Sequence, residues 1–599
     1  MFQSFEATTT PETGAPRLAA LRARLDEAGL AGFLVPRADA HMGETVAPRD
    51  ERLAWLTGFT GSAGAAAILR EEAGVFGDGR YTLQLSAQID TGVYTPVPSH
   101  KVALADWLAE RVGEGDAIGF DPWLHGQEEI ARLTEALAAK GATLRPVENP
   151  VDAIWEDQPA PPAGPLEPYP ERLAGESAGA KRQRIAAEVA GAGRSAHVLT
   201  LPDSIAWLLN IRGTDVARRP IPLCFAILHA DARVTLIADS AKVGPEVAAH
   251  LGPEVEVIPP AGFAAALAAL PGKVGLDRTT APVWVADRLT GAEIDWAPDP
   301  CLLPKARKTE AEIAGAREAH LRDGAAMVRF LAWLDGAAPA GGLTEIAVVR
   351  ALEAERRATN ALRDISFDTI CGTGPDGAIV HYRVTEGTDR PVTPGDILLI
   401  DSGGQYLDGT TDITRTVATG PVAEEAARAF TLVLKGMIAI SRLRWPPGLA
   451  GRDLDPFARA ALWQAGFDFD HGTGHGVGAY LGVHEGPQAL ARRSLVALEP
   501  GMMLSNEPGY YREGAFGIRL ENLVVIEPAT VPEGGDRPML SFETLTYVPI
   551  ERRLVMPALL TAEERAWLDG YHAEVAAQIG PRVEGAAADW LAAATAPLG

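Results

Sequence analysis

Apolar residues recur at helical spacing at Leu18, Leu21 and Leu25, then give way to the unbroken run Gly32-Phe33-Leu34-Val35-Pro36. The first pattern predicts a helix with one buried face, the second a buried strand. Gly58-Phe59-Thr60-Gly61-Ser62-Ala63-Gly64 leads into another apolar run and reads as a tight turn between strands. It lacks the lysine of a phosphate loop and the full dinucleotide fingerprint. Six prolines between positions 159 and 170 exclude helix and central strand there and predict a linker. A new helical pattern begins near Ser177 and continues to Val189. Thr309-Glu310-Ala311-Glu312 has the form of a capping box and predicts a long helix toward Leu334. These breaks divide the chain into 1–158, 171–303 and 304–599. Helices alternate with short strands in the first two parts, which indicates α/β or α+β folds. From about residue 365 the chain turns strand-rich. Asp396-Ile397-Leu398-Leu399-Ile400-Asp401 is an apolar strand ending in an acid, and Leu407-Asp408-Gly409-Thr410 signals a hairpin with a tight turn at Asp408-Gly409. Helices are expected over 426–443 and 454–465, and Thr561-Ala562-Glu563-Glu564 is a second capping box. No short-period repeat is visible.

Composition narrows the class. The length of 599 residues exceeds a single core. A hydrophobic content of 47% and a charged content of 22% describe an ordinary globular protein. A formal net charge of −25 argues against nucleic acid and against an anionic membrane surface as partners. No run is long and apolar enough to span a bilayer, and the first residues carry no basic start or apolar leader. The three cysteines, Cys224, Cys301 and Cys371, are odd in number and widely spaced, so neither a disulfide framework nor a structural zinc is expected. A reducing cytoplasm is the natural location. Asp39, His41 and Glu44 form an isolated polar cluster that reads as a surface loop.

The chemistry concentrates near the C-terminal end. Of the twelve histidines, three fall in the fourteen residues His471-Gly-Thr-Gly-His475-Gly-Val-Gly-Ala-Tyr-Leu-Gly-Val-His484. The glycines let backbones approach closely there. Four acids occupy unusual settings. Asp401 ends a buried strand, Asp412 follows the hairpin between threonines, Glu507 lies in Ser-Asn-Glu-Pro-Gly, and Glu521 precedes an apolar strand. Singly, each is an ordinary turn or cap residue. Together, carboxylates beside buried strands need pairing or metal, and four of them with His475 exceed what one cation requires. They suit two divalent ions that share carboxylates and generate a bridging hydroxide for hydrolysis. The mostly oxygen donor set favours Mn²⁺, with Zn²⁺ or Co²⁺ also compatible. One geometric difficulty remains at this level. A turn at Asp408-Gly409 places Asp412 opposite Gln405 rather than near Asp401, so a bulge or longer loop is required.

These strings resemble the pita-bread metallopeptidases, a group that includes methionine aminopeptidase, prolidase and aminopeptidase P. The finer similarity is to the three-domain, cytosolic type of aminopeptidase P. It rests on Thr373-Gly-Pro-Asp-Gly-Ala378, Ile379-Val-His381-Tyr382, Asp401 through Asp412, His471 through Pro487 and Asn506 through Asn522. Gly58 through Gly64, Asp78-Gly-Arg-Tyr81 and Ala206 through Gly213 extend it to the first two domains. The resemblance implies an α+β chain in which two α/β domains of the creatinase N-terminal kind precede a pita-bread catalytic domain. It implies a metal-dependent Xaa-Pro aminopeptidase with two divalent ions, acting on peptides with proline second, and a homodimer. Asp401, Asp412, His475, Glu507 and Glu521 are then the ligands, with Asp412 and Glu521 shared between the ions. Asp401 completes one ion, and His475 and Glu507 the other. Glu507 also shuttles a proton, His381 and His484 flank the scissile bond, and His471 and Arg519 line the cleft. The alternatives are a prolidase-like dipeptidase, a metal-free C–N hydrolase of the creatinase type, and a non-catalytic binding module. All five ligand positions are intact, which disfavours the last two.

Overall fold

The computed structural model describes residues 1–598, which separate into two compact units: Thr8–Lys305, and the chain from Ala306 onward together with Met1–Ala7. The first unit contains two six-stranded mixed sheets. The spatial order of one is Thr95–Pro98, Ala73–Gly77, Ala65–Leu69, Gly32–Pro36, Ala117–Phe120, Thr143–Pro146. The other is Val255–Ile258, Val234–Ile237, Phe225–His229, Ala196–Leu199, Gly272–Leu276, Ala292–Trp296. Counted along the chain, both sheets have the order 4-3-2-1-5-6. In both, the first three strands pair antiparallel and every other pairing is parallel. One α/β architecture has therefore been built twice, with no repeat visible in the sequence.

Helical periodicity specifies structure where a single buried face decides the outcome. Helix Gly14–Glu27 buries Leu18, Leu21 and Leu25 against Phe33, Val35, Ile68 and Val75 of the first sheet. Each such side chain contributes roughly 1.5–3 kcal/mol by leaving water. The proline-rich segment is irregular apart from Glu167–Pro168, which pairs with Ile211–Arg212. Within this unit the two α/β parts are joined by Trp123 stacked on Trp284 at 3.8 Å and by a backbone bridge from Gly126 to Pro282. The cluster expected as a surface loop belongs to this junction. The Asp39 carboxylate accepts the His41 and Gly43 amides, both at 2.9 Å. The His41 ring stacks on Phe225 at 4.3 Å, and its Nδ1 meets the Thr200 carbonyl at 3.0 Å. Asp39 and His41 are buried, and only Glu44, which accepts from Ser62 at 2.9 Å, is half-exposed. The sequence shows the polarity of these residues but not the aromatic surface from the second sheet that covers them.

The second unit is α+β. A five-stranded antiparallel sheet runs Glu485–Leu490, Gly474–Gly476, Met503–Asn506, Asn522–Ala529, Met539–Thr544, with smaller sheets beside it. Helices Glu310–Ala337, Glu345–Arg357, Glu424–Ser441, Gly451–Gln464 and Ala562–Ile579 pack around these sheets. Both capping boxes form at Thr309 and Thr561. The first residues of the chain pack here and not in the first unit: Gln3 exchanges hydrogen bonds with the Thr369 backbone, and Phe5 lies in the core with Phe330 and Leu399.

The hairpin from Ile397 to Ala418 is fastened to two helices by one buried network. Arg356 donates to both Asp323 oxygens, at 2.8 and 3.0 Å, while the Tyr406 hydroxyl donates to Asp323 at 2.6 Å. Burial opposes ionisation of Asp323, but Arg356 and the two donated bonds outweigh it and hold its pKa below the usual carboxylate range. Replacing Arg356 with Met leaves that carboxylate buried without its cation. The expected loss is about 3–5 kcal/mol of stability in this unit, read as a lower denaturant midpoint. The double replacement Arg356→Met with Asp323→Leu should recover much of it, and failure to recover would show that the ion pair is not what fastens the hairpin.

Candidate metal centre

The two hairpin acids meet because the turn lies one residue earlier than the sequence suggests. Tyr406 pairs with Gly409, Gln405 with Thr410, Ser402 with Ile413 and Asp401 with Thr414. This is one continuous register around Leu407-Asp408, so Thr410, not Asp412, stands opposite Gln405. No bulge is needed, because Asp412 lies two residues before the partner of Asp401 and projects from the same face. The reason is tertiary. Arg322 takes both Asp408 oxygens at 3.0 and 2.8 Å, and Gly409 lies against the long helix, where a Cβ would come within 3.1 Å of Ala316 Cα and 3.0 Å of Ala319 Cβ. Gly409 permits a close approach and is not the left-handed turn residue that Asp-Gly implies.

The imidazole comes from the five-stranded sheet. Gly474 crosses so near its neighbour that a Cβ would lie 1.9 Å from the Ser505 carbonyl, which draws strand Gly474–Gly476 against Met503–Asn506. The His475 amide donates to Ser505 Oγ at 2.8 Å, and that hydroxyl donates to Glu507 Oε1 at 3.1 Å. His475 Nδ1 faces the Gly476 carbonyl at 3.0 Å and so carries its proton. Nε2 faces Asp412 at 3.4 Å and Glu507 at 3.6 Å. An imidazole nitrogen set among carboxylate oxygens is a donor arrangement that suits a cation held between them.

Ligand atoms of Asp412, His475 and Glu521 fall within 4.8 Å of one another. Asp401 Oδ1, Asp412 Oδ1 and Glu521 Oε1 are buried and have no hydrogen-bond partner. Their other oxygens are occupied where a protein group is near. Asp401 takes Arg519 at 2.6 Å, and Glu521 takes the Thr414 hydroxyl at 2.8 Å. Burial, followed by the neighbouring carboxylates, pushes the pKa of Asp412 and of Glu521 well above the usual range. Burial also opposes the charge on Arg519, but Tyr511, Asp401 and Glu507 outweigh it and hold the guanidinium well above its ordinary pKa. Four convergent carboxylates, one oriented imidazole and three orphaned oxygens fit divalent cations with mixed oxygen and nitrogen donors.

His471 belongs to a chain behind this centre. Its Nδ1 meets the Gly472 carbonyl at 2.7 Å, so Nε2 accepts the Tyr511 hydroxyl at 2.9 Å; Arg519 donates to the same hydroxyl at 2.6 Å. His484 stands beside His475 with ring centroids 4.3 Å apart. His381 is carried by the segment after the short turn Gly374–Ala378. That segment is collected by Glu345, whose carboxylate accepts the Thr373 amide at 2.7 Å, the Tyr382 hydroxyl at 2.9 Å and the Arg390 amide at 3.3 Å. Sequence reasoning passed over Glu345, Ser505, Thr414 and Tyr511. Ser505 and Tyr511 stand in the same string as Glu507, and that adjacency is their one local signal.

Comparison with known proteins is consistent along the whole chain. A sequence model of metallopeptidase family M24 matches residues 314–528, and one of the C-terminal region of peptidase M24 matches 538–598. Creatinase/prolidase N-terminal domain models match 17–154 and 157–312. A probable Xaa-Pro aminopeptidase P from Talaromyces stipitatus is 39% identical, covering 93% of this chain and 88% of its own. One from Laccaria bicolor is 38% identical, covering 97% and 93%. The crystal structure of X-prolyl aminopeptidase from Caenorhabditis elegans, described as a cytosolic enzyme with a di-nuclear active site, superimposes with a TM-score of 0.94. It is 32% identical and covers 98% of this chain and 100% of its own. An Xaa-Pro dipeptidase from Bacillus anthracis gives a TM-score of 0.51 at 27% identity, covering 63% of this chain and 99% of its own.

Glu345 makes a pH-dependent contribution that can be measured. Burial, with Asp376 nearby, pushes its pKa up to about 8, above the value it has in an unfolded chain. Its contribution is therefore fully present at low pH and is lost as pH rises through 8. The expected loss is about 2–3 kcal/mol between pH 6 and 9. In Glu345→Gln this part of the slope disappears from denaturant midpoints measured across that range. An unchanged slope would show that Glu345 is not the titrating group.

Proposed function

The chain belongs to metallopeptidase family M24, and we propose from that premise that the centre described above hydrolyses the bond between an N-terminal residue and a following proline. It is a metal-dependent Xaa-Pro aminopeptidase whose relatives match it over nearly the full length. The observation that carries the assignment of the site is the grouping of Asp412, His475 and Glu521 ligand atoms, with Asp401 and Glu507 acting on the same carboxylates and three buried carboxylate oxygens left unpaired. We assign these five as the residues that would hold two divalent ions. The oxygen-rich donor set favours manganese. A cytoplasmic location is supported by the three buried free cysteines and by the relative described as cytosolic.

When bound, the ions supply the positive charge that acidifies a water and polarises the scissile carbonyl. The protein does the rest. Glu507, held by Ser505 and by its own amide donating to the Thr473 carbonyl at 2.7 Å, takes the water's proton. It then passes that proton toward the proline nitrogen, which has no hydrogen of its own and leaves only when protonated. His484 beside His475, together with His381 on its anchored segment, orients the substrate carbonyl and donates to the oxyanion that develops. Arg519, fixed between Asp401 and Tyr511, keeps one net charge out of the carboxylate cluster and holds Asp401 in orientation. His471 fixes Tyr511 from the far side.

Two outcomes test the proposal. Metal-loaded protein should release the first residue from Xaa-Pro-Pro tripeptides and retain about two ions per chain. Glu521→Ala should lose both ions and activity together, by elemental analysis and product assay. Cleavage of Xaa-Pro dipeptides alone would favour a dipeptidase. Removing His484 as Ala should lower kcat by roughly 10²–10³ with metal content unchanged. A loss confined to KM would contradict its assigned role.

A further inference from the structure

We propose that Gln405 is a positioning residue for the reaction, tying the loop that carries His484 to the hairpin that carries Asp401 and Asp412. The inference rests on the reading of the chain as a metal-dependent Xaa-Pro hydrolase. Gln405 lies on that hairpin between the two acids and is 1% exposed. Its Nε2 donates to the Leu481 carbonyl at 2.7 Å. The orientation of its amide is set from directly across the hairpin, where the Thr410 hydroxyl donates to Oε1 at 2.8 Å. With Oε1 committed to Thr410, Nε2 has to face Leu481.

The loop it holds needs holding. Between His475 and His484 the chain leaves the sheet, Tyr480 adopts the left-handed region at φ +50°, and the Gly478 amide closes back on the Gly482 carbonyl at 3.0 Å. The far end is fixed separately, because Glu485 forms a buried ion pair with Lys308. The strand pairing between these segments also changes register next to His475. The backbone ladder alone therefore does not transmit the position of the acids to His484. Gln405 supplies a direct link, three residues from the imidazole it serves. A ring placed to meet an oxyanion loses most of its effect when displaced by about 1 Å. Gln405 is thus expected to act on the transition state through His484 and not on metal binding.

The test is a double-mutant cycle on the full-length, metal-loaded protein with an Xaa-Pro-Pro tripeptide. Gln405→Ala and the near-isosteric Gln405→Glu, which cannot donate to Leu481 when ionised, should each lower kcat about ten- to a hundredfold. KM should stay within about twofold and metal content should not change. In a His484→Ala background the same substitutions should have less than about a twofold further effect. A full loss that persists without His484, or a fall in metal content, would overturn the proposal and make Gln405 a support of the hairpin alone. Hydrogen exchange over 478–484 gives a readout independent of catalysis. The amides should exchange faster in both variants, and unchanged exchange would refute the tie. Wild-type protein without Xaa-Pro hydrolysis would instead refute the functional reading beneath it.

Discussion

Four carboxylates, Asp401, Asp412, Glu507 and Glu521, act on one another in a largely buried space, and much of the unit from Ala306 onward is arranged around that fact. Like charges in such surroundings resist ionisation, as the raised pKa values of Asp412 and Glu521 record. The protein answers with little charge of its own. Arg519 contacts one member, Asp401, and its remaining contacts are neutral hydroxyls. Arg356 lies nearby but is committed to Asp323. The deficit is left for cations from solution, and the rigid surroundings keep the acids from turning away to relieve it.

That rigidity comes from polar networks more than from the apolar core. Arg415 is fully buried, yet among the described residues it forms no ion pair with a carboxylate. It donates to the carbonyls of Thr414, Glu521, Val548 and Pro549, to Asn522 and to the Tyr571 hydroxyl. Burial lowers its pKa from the ordinary value, and Tyr571 and Glu521 offset only part of this. Its effect is to weld the strand after Asp412 to the strand after Glu521, so two ligands from segments about a hundred residues apart share one frame. The Asp323–Arg356–Tyr406 network does the same for the hairpin and two helices. Apolar packing would hold these elements together but would not fix their register to the fraction of an ångström that coordination requires.

The limits of the sequence follow from the same distinction. What depends on neighbours along the chain was legible: the capping boxes at Thr309 and Thr561, the largely irregular backbone of the proline-rich segment, the apolar strand ending at Asp401 and the recurrence of acids beside strands. Each is decided by local stereochemistry or by one buried face. What depends on distant partners was not. Asp408-Gly409 carries the pattern of a tight turn, but Arg322 and the long helix move the turn to Leu407-Asp408, and that shift brings Asp412 from four residues to two residues before the partner of Asp401. Asp39 and His41 look solvated in the sequence, but both are buried and Phe225 stacks on the His41 ring. The doubled 4-3-2-1-5-6 topology leaves no sequence period because a sheet needs only apolar positions at the right alternation, which many sequences satisfy.

The division of labour between strands and loops follows from what each group must do. Every assigned ligand lies on a strand or next to a strand end, where ladder hydrogen bonds fix the backbone. His381 and His484 lie on irregular segments. Irregular backbone offers no ladder, so each of these segments is held instead by a buried polar side chain reaching in from a regular element. Glu345, at the start of a helix, gathers the segment carrying His381, and Gln405, on a strand, holds the loop carrying His484. Gln405 is neutral, and the near charges on Glu345 are Asp376 and Arg390 rather than the ligand acids. The histidines are thereby held in place without adding charge to the cluster, and the electrostatics of the metal centre and the placement of its helpers are set by separate parts of the chain.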